Sequence, residues 1–501
     1  MRMSRAQHAL QTQDQAYKEG KKVDYKDYEV IIGLEVHSEL STKTKAFCSC
    51  STEFGGDVNT HCCPICTGMP GTLPVLNKKV VEYAIKAGLA TNCEITRYGK
   101  QDRKNYFYPD LPKAYQISQF DLPLCVGGHI DIETENGKKS IGLTRIHIEE
   151  DAGKLLHDVV PGKSLVDYNR CGVPLIEIVS EPDMRSAEEA RAFLEELKSI
   201  LECLEVSDCK MQEGSLRCDI NVSVRPVGQK EFNTRTEMKN VSSFSAAYRA
   251  IEYEAKRQIE EMEEGRSVMQ QTLRWSDEDG ENYPLRSKED AHDYRYFPEP
   301  DLVPIVVSDE QIEEIKKTIP ELPSAKRARF VESYGITEYE AGLISQSKLM
   351  SAFFESAAKL VSTPKTVANW LLGDISRLIN EKNIEFSDMK ITPEALADFI
   401  ALIEKGIISN TAGKKVIEIM FETQKKPDII VKEEGLEQVN DTDALKKIVE
   451  EVLVNNQKSV DDYRNGKTNA LGFLVGQTMR LSKGKANPQT LNALLREYLE
   501  K

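Results

Sequence analysis

The chain has 501 residues, 40% of them hydrophobic, with 66 Lys and Arg against 81 Asp and Glu, a net charge of −15. That length exceeds one simple core and predicts two to three domains; the acidic balance argues against a nucleic-acid partner unless basic residues are gathered locally. No apolar run reaches the roughly 18 residues of a membrane span, and eleven cysteines in so long a chain do not suggest a secreted disulfide scaffold.

Residues 1–22 lack the apolar stretch of a secretory leader. Residues 1–27 are therefore expected to form a short N-terminal extension, and the chain reads as cytoplasmic. From residue 28 a strand is predicted, because Val30, Ile32, Leu34 and Val36 alternate with Glu35, His37 and Glu39. Next come Cys48-x-Cys50 and Cys63-x-x-Cys66, separated by a loop rich in Gly, Asn, Asp and Thr. Two thiol pairs around such a turn suit a tetrahedral Zn²⁺, and with every ligand a cysteine the metal would be structural. Cys93, Cys125, Cys171, Cys203, Cys209 and Cys218 stand singly in apolar contexts and are expected in the core.

Residues 102–110, Asp-Arg-Lys-Asn-Tyr-Phe-Tyr-Pro-Asp, set Arg103 and Lys104, which can neutralise phosphate, beside the hydroxyls and stacking faces of Tyr106 and Tyr108. A solvated loop with aromatic anchors has the same composition. Another strand-like run ends in Ile146-His147-Ile148-Glu149-Glu150-Asp151. Carboxylates and imidazoles on one sheet face are what a hard divalent cation needs, although a solvated face alternates in the same way. Parity places Glu149 with His147 and Arg145, and Glu150 with Ile146 and Ile148, so periodicity leaves the choice between the two glutamates open.

Ser186 and Glu189 form a capping-box pattern ahead of a helix whose apolar residues include Phe193, Leu194, Leu197 and Leu201. A strand over 216–224 follows Glu213 and carries Asp219 on its polar parity; a helix over 244–264 should stop at Gly265. Residues 28–304 thus read as one α+β domain around an antiparallel sheet. Beyond 304 helical periodicity takes over, with helices over 352–360, 367–380, 393–405 and 411–421 and breaks near 388–393 and 426–427. These imply an all-α domain over 305–431 and a small helical tail over 432–501. The tail gathers Arg464, Lys467, Arg480, Lys483 and Lys485, a patch able to hold an RNA backbone without reading bases. Neither a Gly-x-x-x-x-Gly-Lys-Ser/Thr loop nor a Gly-x-Gly-x-x-Gly turn after a strand is present, so ATP, if bound, uses neither common phosphate loop.

Several long motifs together resemble the B subunit of the tRNA-dependent amidotransferase: Ile-Gly-Leu-Glu-Val-His (32–37), residues 102–110, Lys-Ala-Tyr-Gln-Ile-Ser-Gln-Phe (113–120) and Glu-Glu-Asp-Ala-Gly-Lys (149–154). So do the run from Asn169 to Asp183, Glu-Gly-Ser-Leu-Arg-Cys-Asp (213–219), residues 293–301 and Gly-Phe-Leu-Val-Gly-Gln (472–477). The resemblance covers the chain from about residue 28 to its end. It implies a cradle built on an antiparallel sheet, a helical domain and a tail similar to YqeY. It also implies an activity: ATP and Mg²⁺ are used to phosphorylate the side-chain carboxylate of Glu-tRNA(Gln) or Asp-tRNA(Asn). Ammonia from an amidase-type glutaminase partner, in a complex with a small third component, then displaces the phosphate. On this footing Glu35, His37 and Glu150 are the expected metal site, with Glu149, Glu213 and Asp219 as second candidates, and Lys104 and Tyr106 resemble residues near the ammonia-channel mouth. A self-sufficient glutaminase with a cysteine nucleophile is disfavoured, because none of the seven His sits in a suitable context. A non-catalytic tRNA scaffold would leave the acids of the sheet face unexplained, and the archaeal relative's extra inserted domain has no room here.

Overall fold

Ile32, Leu34 and Val36 are buried on one face of strand β1 (Tyr28–Glu39), while Glu35, His37 and Glu39 are half-buried on the other. The computed structural model describes residues 25–287, 294–438 and 442–500, apart from Gly466, residues 483–485 and Asn487. It divides into two units, Met1–Leu322 and Pro323–Lys501.

In the first unit β1 lies inside a ten-stranded sheet. Its other strands are β2 (Glu94–Ile95), β3 (Cys125–Val126), β4 (His129–Thr134), β5 (Gly137–Glu150), β6 (Pro174–Ser180), β7 (Leu216–Pro226), β8 (Thr236–Lys239), β9 (Gln271–Ser276) and β10 (Glu281–Ser287). The order is β10-β9-β8-β7-β1-β6-β5-β3-β2, with β4 also paired to β5. Every pairing is antiparallel except β8 with β9. Register then fixes which side chains share a face. His37 stands opposite Arg217 on β7 and Glu177 on β6, and Glu177 stands opposite His147 on β5. Glu35 stands opposite Asp219.

The apolar face is covered by helices α1 (Lys78–Ala90), α2 (Ala187–Cys203) and α3 (Phe244–Glu263). Phe193, Leu194, Leu197 and Leu201 of α2 are fully buried there, each worth about 1.5–3 kcal/mol relative to exposure. Ser186 caps α2 by accepting from Glu189 N at 3.1 Å, but the Glu189 carboxylate turns back to Arg185 N at 2.7 Å instead of closing the capping box. Ser243 caps α3, and Gly265, at φ +71°, ends it in the left-handed conformation glycine allows.

A buried polar network ties α3 to the sheet. Glu254 is fully buried; it accepts from Thr236 Oγ1 (2.8 Å), Gln258 Nε2 (2.9 Å) and Arg257 (2.7 and 3.0 Å). Glu254→Ala would strand those donors, and we expect it to cost about 3 kcal/mol. Urea unfolding measures this; an unchanged midpoint would mean the network contributes nothing net.

The first unit extends past the expected boundary at 304. Ile305 and Val306 pair with Tyr98 and Gly99, and Val307 and Ile312 join the core beneath the sheet. Their burial carries the chain of this unit on to Leu322.

In the second unit Phe330, Phe354, Leu371, Leu396, Phe399 and Val416 centre one core, which reaches Val431. The expected helices over 352–360, 393–405 and 411–421 correspond to Lys348–Ala358, Pro393–Glu404 and Asn410–Thr423. The expected helix over 367–380 instead runs through a π-helical turn, Leu371–Ile375, between Pro364–Trp370 and Ser376–Lys382. Such a turn inserts one residue into the α-helical period, and periodicity alone does not mark it. The tail helices Thr442–Asn455, Gln457–Arg464, Asn469–Leu481 and Pro488–Glu500 bury Leu445, Val449, Leu474, Leu491 and Leu495 in a core of their own. The chain is thus α+β, and among the described residues no helix is long and apolar enough to cross a membrane.

Candidate metal centres of the sheet face

The polar face of the sheet holds two clusters. In the first, ligand atoms of His37, Glu149 and Glu177 lie within 4.8 Å of one another. His37 Nε2 is 3.3 Å from Glu149 and 3.6 Å from Glu177; His147 Nε2 is 3.7 Å and 3.3 Å from the same two carboxylates. Ser118 Oγ donates to Glu149 at 3.4 Å, and Arg145 Nε donates to His147 Nδ1 at 3.4 Å.

Burial disfavours a charged His37, yet hydrogen bonds to Glu149 and Glu177 overcome it and raise its pKa to about 10; His147 is raised for the same reasons. Burial likewise works against both carboxylates, and the two imidazoles hold them below the ordinary glutamate range. The cluster is therefore a pair of buried carboxylates whose charge must be matched, by imidazolium protons or by a cation.

In the second cluster, ligand atoms of Glu35, Asp219 and Glu237 also lie within 4.8 Å of one another. Lys239 forms ion pairs with Asp219 and, at 3.2 Å, with Glu237; Asn221 Nδ2 donates to Glu35 at 3.0 Å and Thr272 Oγ1 to Glu237 at 2.9 Å.

A three-stranded sheet of Asp102–Asn105, Tyr115–Ser118 and Phe297–Pro298 meets the end of β5 and brings Lys104 to the first cluster. Burial opposes the charge on Lys104, but Glu149, Tyr296 and Glu177 raise its pKa. Its ammonium lies 4.9 Å over the Tyr294 ring, which meets Tyr106 edge-on at 5.8 Å. Burial pushes the Tyr106 hydroxyl above its ordinary pKa.

The region carrying this geometry, residues 30–313, matches the family model described as the GatB/GatE catalytic domain; residues 352–499 match the GatB domain. Similar proteins include the aspartyl/glutamyl-tRNA(Asn/Gln) amidotransferase B subunit of Caldicellulosiruptor bescii, 63% identical over 478 residues, which are 95% of this chain and all of that protein. The same-named proteins of Caldicellulosiruptor saccharolyticus and Thermoanaerobacter pseudethanolicus are 62% and 60% identical, again over 95% of this chain and their whole length. The chain belongs to the family of amidotransferase B subunits. It is accordingly an enzyme component of the tRNA-dependent amidotransferase class.

Within this family frame the expected residues fall into distinct places. His37 and Glu149 are together, and Glu35 and Asp219 are together one step along the same face. Glu150 is in neither cluster. Its side chain pairs with Lys113 and accepts from Ile117 N at 2.9 Å, because it occupies the opposite parity of β5. Grouping Glu150 with Glu35 and His37 is thus corrected to Glu149 with His37. Glu213 is also outside, in a turn where Lys210 reaches it at 3.0 Å. Arg103 is committed to Glu299, by bonds of 2.7 and 2.9 Å, and stacks 4.2 Å over Tyr115, so of the two cations of this motif Lys104 is the one whose charge is felt by the first cluster.

Glu177 and Glu237 were not singled out from the sequence. The signal for Glu177 was a single carboxylate inside the otherwise apolar run Leu175–Val179, which cannot be buried without partners. For Glu237 the signal was the short alternation Thr236-Glu-Met-Lys239.

The four expected cysteines converge: the Sγ atoms of Cys48, Cys50, Cys63 and Cys66 lie within 4.8 Å of one another. Tetrahedral coordination at ~2.3 Å requires sulfurs about 3.8 Å apart, so this set fits Zn²⁺. A hydrogen bond from Cys48 lowers the Cys66 pKa to about 4 against the opposing effect of burial, with Cys63 N–H and Lys45 assisting. Cys62 stays apart, its thiol 3.2 Å from Asn59 O. In the tail, Arg464 Nε donates to Leu499 O at 3.1 Å, Lys467 pairs with Asp462 at 2.9 Å, and Arg480 is exposed; Lys483 and Lys485 lie outside the described residues.

Proposed function

We propose that this chain activates the tRNA-bound amino acid of misacylated Glu-tRNA(Gln), Asp-tRNA(Asn) or both. The side-chain carboxylate oxygen attacks the γ-phosphorus of ATP and ADP leaves. Ammonia then attacks the carbonyl carbon of the acyl phosphate, and inorganic phosphate departs to give the amide. The observation that carries this reading is the pair of carboxylate clusters side by side on one sheet face, with Lys104 at the edge. Such a face suits a reaction in which negative charge accumulates on phosphate oxygens.

His37, Glu149 and Glu177 would hold one Mg²⁺, and Glu35, Asp219 and Glu237 a second; bound there, Mg²⁺ supplies charge stabilisation for the phosphoryl group. Glu177 and Glu149 fix His37 in place, and Ser118 and His147 fix Glu149. Lys104 offers a buried positive charge for an anionic reactant, and Tyr106 a neutral hydroxyl. Cys48, Cys50, Cys63 and Cys66 would hold structural Zn²⁺.

Ammonia would come from an amidase-type glutaminase partner, in a cytoplasmic heterotrimer completed by a small third component. The test is ADP formation by the complex, which should require misacylated tRNA and should persist with ammonium salt when the glutaminase is blocked. ATP turnover that ignores the aminoacyl group would sink the proposal.

The tail helices would grip tRNA. Deleting residues 432–501 is expected to raise the tRNA KM about tenfold or more and to flatten the salt dependence of binding, because lost phosphate contacts remove counterion release. The contribution would rest on exposed Arg480 more than on Arg464, which already bonds Leu499, or Lys467, which already pairs with Asp462. A truncated complex with unchanged tRNA affinity across a salt series would assign the tail another role.

A further inference from the structure

Lys45 has 0% of its surface exposed, among the largest fully buried side chains of the protein. An ammonium so placed costs several kcal/mol unless something offsets its charge. The groups its Nζ reaches are Cys66 Sγ, at 3.7 Å, and Tyr168 O, at 3.3 Å. A carbonyl and a thiol are poor compensation for a buried cation; a metal-bound thiolate set is good compensation. Four thiolates around Zn²⁺ carry a net charge of −2, and one ammonium in contact brings the unit to −1.

The surroundings show that this contact is built in. Lys45 lies in a cavity of about 120 Å³ lined also by Cys48, Cys66, Lys113, Glu150 and Gly172. Gly172 has φ +83°, and a Cβ added to it would sit 3.4 Å from Cys66 Cβ, 3.6 Å from Lys45 Cδ and 3.8 Å from Glu150 Oε2. Backbone bonds lock that junction: Ala46 N donates to Gly172 O at 2.9 Å, and Gly172 N to Asp151 O at 2.8 Å. The Cys171 thiol donates to Cys66 O at 3.2 Å. Lys113 is already paired with Glu150, so among the described residues Lys45 is the ammonium in contact with a knuckle sulfur.

We propose that Lys45 is the buried counter-charge of the cysteine knuckle: its ammonium holds down the nucleophilicity of the zinc-bound thiolates, Cys66 above all, and so slows loss of the metal to electrophiles. This rests on the zinc reading of the four cysteines. The mechanism is electrostatic. A positive charge within contact distance stabilises the sulfur lone pairs, and the effect is large where water is excluded. Lys45 is a positioning residue in this scheme and touches no reactant of the amidation.

The test uses the full chain purified with its partners. Zinc content is measured first, and a wild-type protein with no zinc overturns the knuckle reading itself. With zinc present, iodoacetamide is added and metal release is followed with a chromophoric chelator, as each thiolate forms an S–C bond and iodide leaves. Lys45→Met keeps the length and removes the charge; it should release zinc about tenfold faster than wild type, the rate expected for losing one charge contact in a partly desolvated site. Lys45→Arg should remain near wild type. Equal release from Lys45→Met and wild type, or release from Lys45→Arg as fast as from Lys45→Met, overturns the role of Lys45. Should neither variant fold, the wild type gives a second readout. Its Co²⁺-substituted form should absorb in the sulfur-to-cobalt charge-transfer band at higher energy than a Co²⁺ tetrathiolate complex with no neighbouring cation. A band at the same energy overturns the proposal.

Discussion

Replacing Glu149 by Gln is expected to lower ATP turnover dependent on misacylated tRNA by about 10²–10³-fold, equivalent to roughly 3–4 kcal/mol of transition-state stabilisation. The substitution is isosteric, so packing survives. It removes one of the two carboxylates that face His37 and His147, leaving Glu177 alone to balance them and turning a charged oxygen donor of the first cluster into a neutral amide. His37→Ala should fall in the same range, since His37 bridges both carboxylates. Glutamine hydrolysis by the proposed partner should persist in both, since the proposal places that chemistry outside this chain. Glu150→Gln is the informative contrast. Its expected loss is in stability, because Lys113 is left charged and buried, with turnover of the folded protein reduced less than about tenfold. Initial rates normalised to folded protein decide between the two glutamates. Should Glu150→Gln prove as inactive as Glu149→Gln while fully folded, the face assigned by register would be the wrong one.

The choice between neighbouring glutamates shows where the sequence is legible and where it is not. Alternation in β1 located the polar face and named Glu35 and His37. The parity of 145–150 already grouped Glu149 with His147, but no residue pattern told which strands would lie beside β1. Only the pairing of β1 with β6, and of β6 with β5, brings Glu177 and Glu149 to His37 across sequence separations that local periodicity does not report. The convergence of the cysteine pairs was legible because their spacing is local and the intervening turn short. The end of the first unit was not, because Ile305 and Ile312 are apolar residues at the head of a helical region, and membership of one core or another is decided by tertiary contact. Charge counting in the tail had a similar limit. It recorded Arg464 as a cation, yet its guanidinium is engaged with the last turn of the final helix.

Removal of one knuckle ligand, Cys63→Ser or Cys66→Ser, is expected to abolish stoichiometric zinc and to destabilise the first unit by several kcal/mol, since metal affinity in such a site is folding free energy. Apart from the cysteines, the segment between Cys48 and Cys66 is held mainly by polar contacts to the chain at 166–169: Asn59 N donates to Asp167 at 3.1 Å, His61 N to Asn169 Oδ1 at 2.8 Å and Asn169 Nδ2 to Asp57 O at 2.7 Å. Its sole regular pairing among the described residues is the bridge of Thr44 with Ser51, and Phe54 and Val58 are exposed. With few apolar contacts to retain it, the loop spanning 51–62 should become the first site of proteolysis in the variant, while the wild type is cut there only after zinc is chelated. The damage should also travel. Cys66 O accepts from Cys171, and the adjacent Gly172 is bonded to both Ala46 and Asp151, at the end of the strand that carries Glu149. Loosening that junction lets the carboxylate of Glu149 drift from His37, so activity should decline after the stability loss and in proportion to zinc lost, with tRNA KM little changed. Protease mapping and metal analysis on the same samples provide the check. A zinc-free variant that keeps wild-type protease resistance and wild-type turnover would show that the four thiols hold nothing together.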